Sequence, residues 1–325
     1  MKPLILSLLI VIAPAIRTNS QGCVAIRNVA GISPDLLFEN IQPNDKVIFN
    51  ITNRYFEASK SFRTDTVVSD TLVTNRIYTL NFSIIRLLKN GWSITLNVPI
   101  AANSRNNGAD HMGPLSYPKH TTHAFGLGDI RLTVYKWLLN PSENRKGNIQ
   151  AGLGIKLPTG DFKYQDYFYR KADSTVLAPV DQAIQLGDGG TGITTELSAF
   201  YSLGRKINLY FQGFYLINPR EQNGVSNLKG RAPTRDQTAN NTTVMSVPDQ
   251  YSLRGGANFQ FQKIILTAGL RYEKVPENDL IGGNKGFRRA ATIASVEPGI
   301  TYKMKNSLAF VYIGIPFERN IIQNK

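Results

Sequence analysis

Ile207-Asn208-Leu209-Tyr210-Phe211-Gln212-Gly213-Phe214-Tyr215-Leu216-Ile217 decides how this chain is read. Ile207, Leu209, Phe211, Gly213, Tyr215 and Ile217 alternate with Asn208, Tyr210 and Gln212, and polar Lys206 and Asn218 flank the run. A period of two puts one set on each face of a strand, leaving one apolar and one wet face. The pattern recurs at Ile149, Ala151, Leu153, Ile155 and Leu157 against Asn148, Gln150, Gly152, Gly154 and Lys156. It returns at Tyr251, Leu253, Ala257, Phe259 and Phe261 against Ser252, Arg254, Asn258 and Gln260. Working outward, alternation predicts strands over 47–57, 74–88, 91–101, 124–139, 148–158, 191–203, 206–218, 249–261, 263–275, 291–304 and 306–317. Most reach the ~9–11 residues that a tilted strand needs to cross a bilayer, whereas globular strands average ~5–6.

The connections sort into two kinds. Short ones follow alternate strands, at Lys89–Gly91, Asn140–Gly147, Gly204–Arg205, Gln262 and Lys305. Long polar ones, 58–73, 102–123, 159–190, 219–248 and 276–290, fall between them. Short turns on one rim and long loops on the other are the layout of outer-membrane barrels, and a soluble sandwich has no reason to sort them so. The fold expected is all-β: a transmembrane antiparallel up-and-down barrel of about 12 strands, 11 of them visible. An odd count is incompatible with both ends on one side of the membrane. Either a strand lies within 24–40 or the chain stops before its twelfth, and the tail Glu318–Lys325 is too short for another crossing.

Composition agrees. Charged residues are 18% of the chain, too few for a disordered one, and one Cys in 325 residues excludes an intrachain disulfide framework or a Cys-rich metal site. Lys2, the apolar run Leu4–Ile16 and small residues before Gln21 read as a signal peptide over 1–20, so the chain is exported. Residues 21–46 are then a periplasmic or lumen-plug segment and 47–325 the barrel. Cys23 follows Ser20-Gln21-Gly22, which lacks the apolar residue expected three places before a lipidated cysteine; an unmodified thiol is the expectation. Trp92, Trp137, Tyr135, Tyr201, Tyr272, Tyr302, Phe310 and Tyr312 fall near strand ends, where amphipathic rings suit a membrane interface.

Two stretches carry a family resemblance. Gly126-Leu127-Gly128-Asp129-Ile130-Arg131-Leu132 and Gly152-Leu153-Gly154-Ile155-Lys156-Leu157-Pro158-Thr159-Gly160-Asp161 resemble the outer-membrane barrel family named for the meta-pathway of phenol degradation. The likeness spans most of the barrel in layout, with its sharp motifs over 124–161. It implies an outer-membrane protein that moves small hydrophobic or aromatic compounds, location more firmly than cargo.

With the apolar rows toward lipid, the opposite rows place Arg54, Asp129, Arg131, Lys156, Glu196, Arg254, Arg271, Glu273 and Glu297 in the lumen. Such charges either pair across the wall or select solutes; in the second case Arg131, Arg254 and Arg271 favour anions. His111, His120 and His123 share a loop with Asp110 and Ser116, without a fixed partner that marks a metal site or a hydrolase. Gly187-Asp188-Gly189-Gly190-Thr191-Gly192 lacks the Gly-Lys-Ser/Thr ending of a phosphate loop and reads as a flexible return to a strand. No cofactor and no enzymatic activity are expected.

The formal charge of +14 is dispersed rather than gathered into a nucleic-acid module. Lys89, Arg145, Lys146, Arg205, Lys206, Lys263, Lys303 and Lys305 sit at the short turns, suited to anionic headgroups. Lys285, Arg288 and Arg289 on the other rim suit lipopolysaccharide phosphates. The expected partners are outer-membrane lipids, lipopolysaccharide, the barrel-assembly machinery and a small-molecule solute. Three functions remain open: a passive channel or transporter, which leads; a non-transporting surface barrel whose long loops serve adhesion or assembly; and an outer-membrane lipid-acting enzyme, which rests on the histidines alone.

Overall fold

A computed structural model describes residues 33–36, 46–58, 61–63, 66–68, 73–107, 120–171 and 173–323. The expected signal peptide, Cys23, Asp110, His111 and Ser116 lie outside the described residues, as does most of 21–46. In chain order the strands are β1 (Val47–Ala58), β2 (Ser61–Arg63), β3 (Thr66–Val68), β4 (Val73–Leu87), β5 (Trp92–Asn107), β6 (Thr121–Leu127), β7 (Arg131–Trp137), β8 (Gly147–Lys156), β9 (Gln165–Lys171) and β10 (Ser174–Pro179). They continue as β11 (Gly192–Ser202), β12 (Ile207–Ile217), β13 (Gln222–Ser226), β14 (Val244–Ser246), β15 (Gln250–Phe261), β16 (Ile264–Val275), β17 (Arg289–Lys303), β18 (Leu308–Tyr312) and β19 (Ile315–Gln323). One short helix, α1 (Arg235–Ala239), stands between β13 and β14.

One antiparallel sheet makes the wall, in the order β1-β4-β5-β7-β8-β11-β12-β15-β16-β17-β18. β6 continues β7 along the edge of β5, and β19 continues β18 along β17, so the wall has eleven positions. β2 with β3, β9 with β10, and β13 with β14 pair within the long connections. The eleventh strand runs through the tail to Gln323, beyond the expected end at 317. β1 and β18 are the two ends of the sheet order among the described residues. With eleven antiparallel positions these ends run in the same direction, so they cannot join in the antiparallel manner of the rest. The sheet therefore curls into a half-closed barrel, tightly enough that Arg54 of β1 reaches Glu273 of β16 at 3.2 Å.

The sheet is inside out compared with a soluble sandwich. Outward rows are apolar and uncovered: Phe49 is 73% exposed, Leu153 62% and Ile51 53%. Inward rows are polar and buried, as Thr52, Asn81, Ser83, Asn97, Thr133 and Thr194 are. Three of them satisfy one another: Ser83 Oγ donates to Asn97 Oδ1 at 2.7 Å and Asn81 Nδ2 to Ser83 Oγ at 2.9 Å. On β12 the outward row runs from Ile207 to Ile217. At ~3.3 Å per residue and ~40° of tilt it covers about 25 Å, the height of an apolar belt.

The aromatic expectation needs correction. Trp92, Tyr201 and Tyr302 point outward near the short-turn rim. There Lys136 Nζ lies 5.2 Å from the Trp92 ring and Lys146 Nζ 5.3 Å from the Tyr201 ring. Tyr135 and Trp137 instead turn inward, because they share the parity of Arg131 and Thr133 on β7. Phe310 and Tyr312 also face in, Phe310 onto Leu36 and Tyr312 onto Arg254. Position near a strand end sets depth; parity sets the side.

Of 24–40, the described residues 34–36 are helical, not a strand. They sit inside the wall. Asn258 Nδ2 donates to Ser33 Oγ at 2.9 Å and to Asp35 Oδ2 at 2.8 Å, while Leu36 packs on Ile265.

Candidate functional site

The inner face of β15, β16 and β17 carries a chain of alternating charges. Arg254 and Arg271 are direct cross-strand partners, a like-charge pairing that destabilises a sheet unless bridged. Glu297 bridges it: its Oε2 accepts from Arg254 Nε, and its Oε1 lies 3.5 Å from Arg271 Nη1. Arg271 Nη2 then donates to Glu273 Oε1 at 2.6 Å, which also accepts from Arg54 Nη2 at 3.2 Å. Arg254 is further held by Gln212 Oε1 at 3.0 Å and by the Tyr312 ring at 4.5 Å. Farther round the wall, Arg131 Nη1 lies 4.0 Å from Glu196 Oε1 and its guanidinium stacks 5.1 Å from the Phe214 ring.

Tyr135 OH donates to Glu196 Oε2 at 2.7 Å from two strands away. Gly152, register partner of both residues, makes this reach possible. A Cβ there would stand 2.6 Å from the Tyr135 ring.

The resemblance motifs converge on a buried lysine. Lys156 is 1% exposed; its Nζ donates to Asp188 Oδ1 and lies 3.6 Å from Asp129 Oδ2. Asp129 accepts from the backbone N–H of Gly160 at 3.0 Å and of Asp188 at 3.2 Å. Thr159 Oγ1 donates to the Gly128 carbonyl at 2.8 Å and accepts from the Ile130 N–H at 2.9 Å. Gly160 fits because a Cβ would lie 2.7 Å from the Gly187 nitrogen. The end of β6, the end of β8 and the entry to β11 are thereby tied into one knot.

Gly187–Gly192, expected as a flexible return, belongs to a buried insert. All residues from Val180 to Gly190 are buried. Val180, Ile184 and Leu186 pack on Ala101 and Ala124 of the inner wall. Its backbone polar groups have partners: Asn103 Nδ2 donates to the Ile184 carbonyl at 3.1 Å, Asn223 Nδ2 to the Asp188 carbonyl at 3.1 Å, and Arg220 Nη1 to the Gly189 carbonyl at 2.7 Å. The segment packs against the inner wall at its long-loop end.

Asp181 anchors it, accepting from Arg289 Nη2 at 2.7 Å with Arg105 Nε at 3.7 Å. Arg288 is clamped in turn to Asp279, its Nη1 donating to Oδ1 at 2.9 Å. Neither arginine is presented to lipopolysaccharide as expected; Lys285 alone of the three is exposed. Burial pushes the Asp181 carboxyl up, but Arg105, Arg289 and Lys229 outweigh it and hold the group well below the usual carboxylate range. A depressed folded pKa gives stability that is complete above the unfolded value of about 3.9 and lost as pH falls through the folded one. The insert is expected to stay seated at neutral and mildly acidic pH and to detach only well below pH ~4. Current recordings during acidification check this; detachment under mild acid would contradict it.

On the short-turn side of this charged layer lies a cavity of about 170 Å³, reaching from Pro34 and Trp137 up to Arg131, Arg254 and Arg271. Each of the nine side chains singled out by parity lies within 4.0 Å of another of the nine of opposite charge. Asp181, Asp188 and Arg105 were not singled out. The available signal was the apolar Val180, Ile184 and Leu186 inside a supposedly polar loop. The described histidines diverge: His120 meets the Tyr169 ring at 5.3 Å, and His123 Nδ1 lies 3.8 Å from Asp166 Oδ2.

No protein-family model matches the chain, and comparison with curated proteins finds no match. Among solved structures, it is similar to an outer membrane channel from Pseudomonas putida F1, with a TM-score of 0.56, 14% identity, and coverage of 87% of this chain and 92% of that one. A FadL homologue of Pseudomonas aeruginosa aligns with a TM-score of 0.40 and 9% identity, over 81% of this chain and 65% of that one. The CymD monoaromatic hydrocarbon channel aligns with a TM-score of 0.40 and 11% identity, over 85% and 83%. The first likeness, with the apolar exterior and polar interior, establishes the architecture: this chain has an antiparallel β-barrel fold similar to that of the Pseudomonas putida protein.

Proposed function

We propose that the chain is a non-enzymatic barrel of the bacterial outer membrane that passes small molecules passively through its lumen. The observation that carries this reading is the inverted wall: apolar outside, polar inside, with a cavity of about 170 Å³ within it. The outward rows fit the bilayer core, and the lysine-capped aromatics Trp92 and Tyr201 fit the periplasmic headgroups. Exposed Lys285 suits lipopolysaccharide phosphate, and the barrel-assembly machinery would insert such a sheet. The motif resemblance over 124–161 adds hydrophobic or aromatic molecules to the solute range. Residues 21–46 act as a lumen plug, a role supported by the seating of Ser33, Asp35 and Leu36 inside the wall.

One observation favours the second reading, a surface barrel that transports nothing. The Val180–Gly190 insert packs on the inner wall, and the arginine–glutamate chain ties the inward side chains of β15, β16 and β17 together. Planar-bilayer recording of the refolded full chain in unequal salt separates the two. Stepwise conductance with a defined reversal potential supports the channel; a silent bilayer from folded protein supports the surface barrel.

A further inference from the structure

Building on the outer-membrane reading, we infer that the short-turn rim selects anionic phospholipids, those whose headgroup carries net negative charge, from the leaflet around it. Five short connections make this rim, at 88–91, 138–146, 203–206, 262–263 and 304–307. Each presents at least one cation: Lys89, Arg145 with Lys146, Arg205 with Lys206, Lys263, and Lys305. All seven are exposed. Glu143 is the only acid in the five connections, and it accepts from Asn140 Nδ2 at 2.5 Å. The long-loop rim is built differently, with Arg105, Arg288 and Arg289 turned onto Asp181 and Asp279.

The placement favours lipid over a soluble partner. The cations are spread round the perimeter, one set to each short connection, rather than gathered on one side as a protein-docking patch would be. Beside four of the connections an exposed ring stands on the outward, lipid-facing row: Trp92, Tyr201, Phe261 and Tyr302. Lysine tips lie over two of these rings, Lys136 Nζ over Trp92 and Lys146 Nζ over Tyr201. Lys136 Nζ also donates to the Asn90 carbonyl, which holds it level with the turn. Such rings settle at the bilayer interface, and a lysine stem lying along one carries its charge to the headgroups. The ammonium groups of this rim therefore stand at the depth of lipid phosphates. One cation at an anionic membrane surface raises the preference for that surface about fivefold.

The test uses the full chain refolded into phosphatidylcholine vesicles, with Trp92 as reporter. The sequence has two tryptophans, and Trp137 is buried on the inner side, away from lipid. A small fraction of the lipid is replaced by brominated phosphatidylglycerol or, as reference, by brominated phosphatidylcholine. Quenching of Trp92 then reads which lipid contacts the rim. The expected result at low salt is a preference of about fivefold or more for phosphatidylglycerol. It falls toward one at 1 M salt, where the Debye length is about 3 Å. Lys89→Gln with Lys136→Gln, both exchanges at the turn that carries Trp92, brings the preference to about twofold or less. Lys163→Gln with Lys285→Gln, the same loss of charge on the long-loop rim, leaves it at the parent value. Equal quenching by the two lipids, which an acidic soluble partner in place of lipid predicts, overturns the inference and spares the outer-membrane reading. A preference that salt does not weaken also overturns it. Folded protein whose Trp92 neither lipid quenches sinks both.

Discussion

Lys156→Met is expected to lower the stability of the folded barrel by about 3–5 kcal/mol, the cost of removing one partner from a buried ion cluster. Asp129 and Asp188 would then share a site from which water is excluded, with side chains 2% and 7% exposed and no cation between them. Asp129 would still accept two backbone N–H groups, but repulsion from Asp188 would loosen the Gly160 and Asp188 backbones it now holds. Urea unfolding of the refolded protein in lipid, followed by loss of compact electrophoretic migration, measures the effect. Adding Asp188→Asn to Lys156→Met removes the uncompensated repulsion and should recover part of the loss. A single variant as stable as the parent would show that the knot does not hold the three segments.

Asp181→Asn is expected to have the largest effect on conduction. Asparagine keeps the shape but leaves Arg105 and Arg289 facing each other without the carboxylate that joins them. Losing a buried partner costs on the order of 3 kcal/mol. That shifts the ratio of seated to released insert by about 100-fold, since each 1.4 kcal/mol is a factor of ten. Bilayer recordings of the variant should show long open periods that are rare in the parent, and Asp181→Glu should behave like the parent. Unchanged recordings would mean that the apolar contacts of Val180, Ile184 and Leu186 seat the insert without the ion pair.

How much of this was legible beforehand follows from what each feature depends on. Sidedness along a strand is local: period two places Arg254, Arg271 and Glu297 on one face wherever their strands lie in the sheet. Partnership is not local. Arg254 meets Glu297 rather than Glu273 because register sets which residues stand level across β15, β16 and β17, and hydrophobic alternation leaves register open by steps of two. Trp137 shows the same limit. Its type points to the interface, its parity points inward, and the packing against Phe200 at 5.9 Å follows parity.

The long connections carry the least local signal. The Val180–Gly190 insert has no period to announce burial, since its apolar residues are spaced irregularly and its glycines read as loop. It is buried by contacts far along the chain, with Arg105 of β5 and Arg289 of β17 meeting on Asp181. Arg289 accordingly changes from a lipopolysaccharide contact to an internal anchor.

By itself the sequence determined the sheet, its outward apolar face and the sorting of short and long connections, because alternation and turn length act between neighbours in the chain. Tertiary structure alone decided that β1 and β18 end the sheet order among the described residues, that Lys156 ties Asp129 to Asp188, and that an apparent surface loop is buried against the inner wall. The physical reason is the curl of the wall: it brings together side chains more than 100 residues apart, and no local pattern encodes that approach.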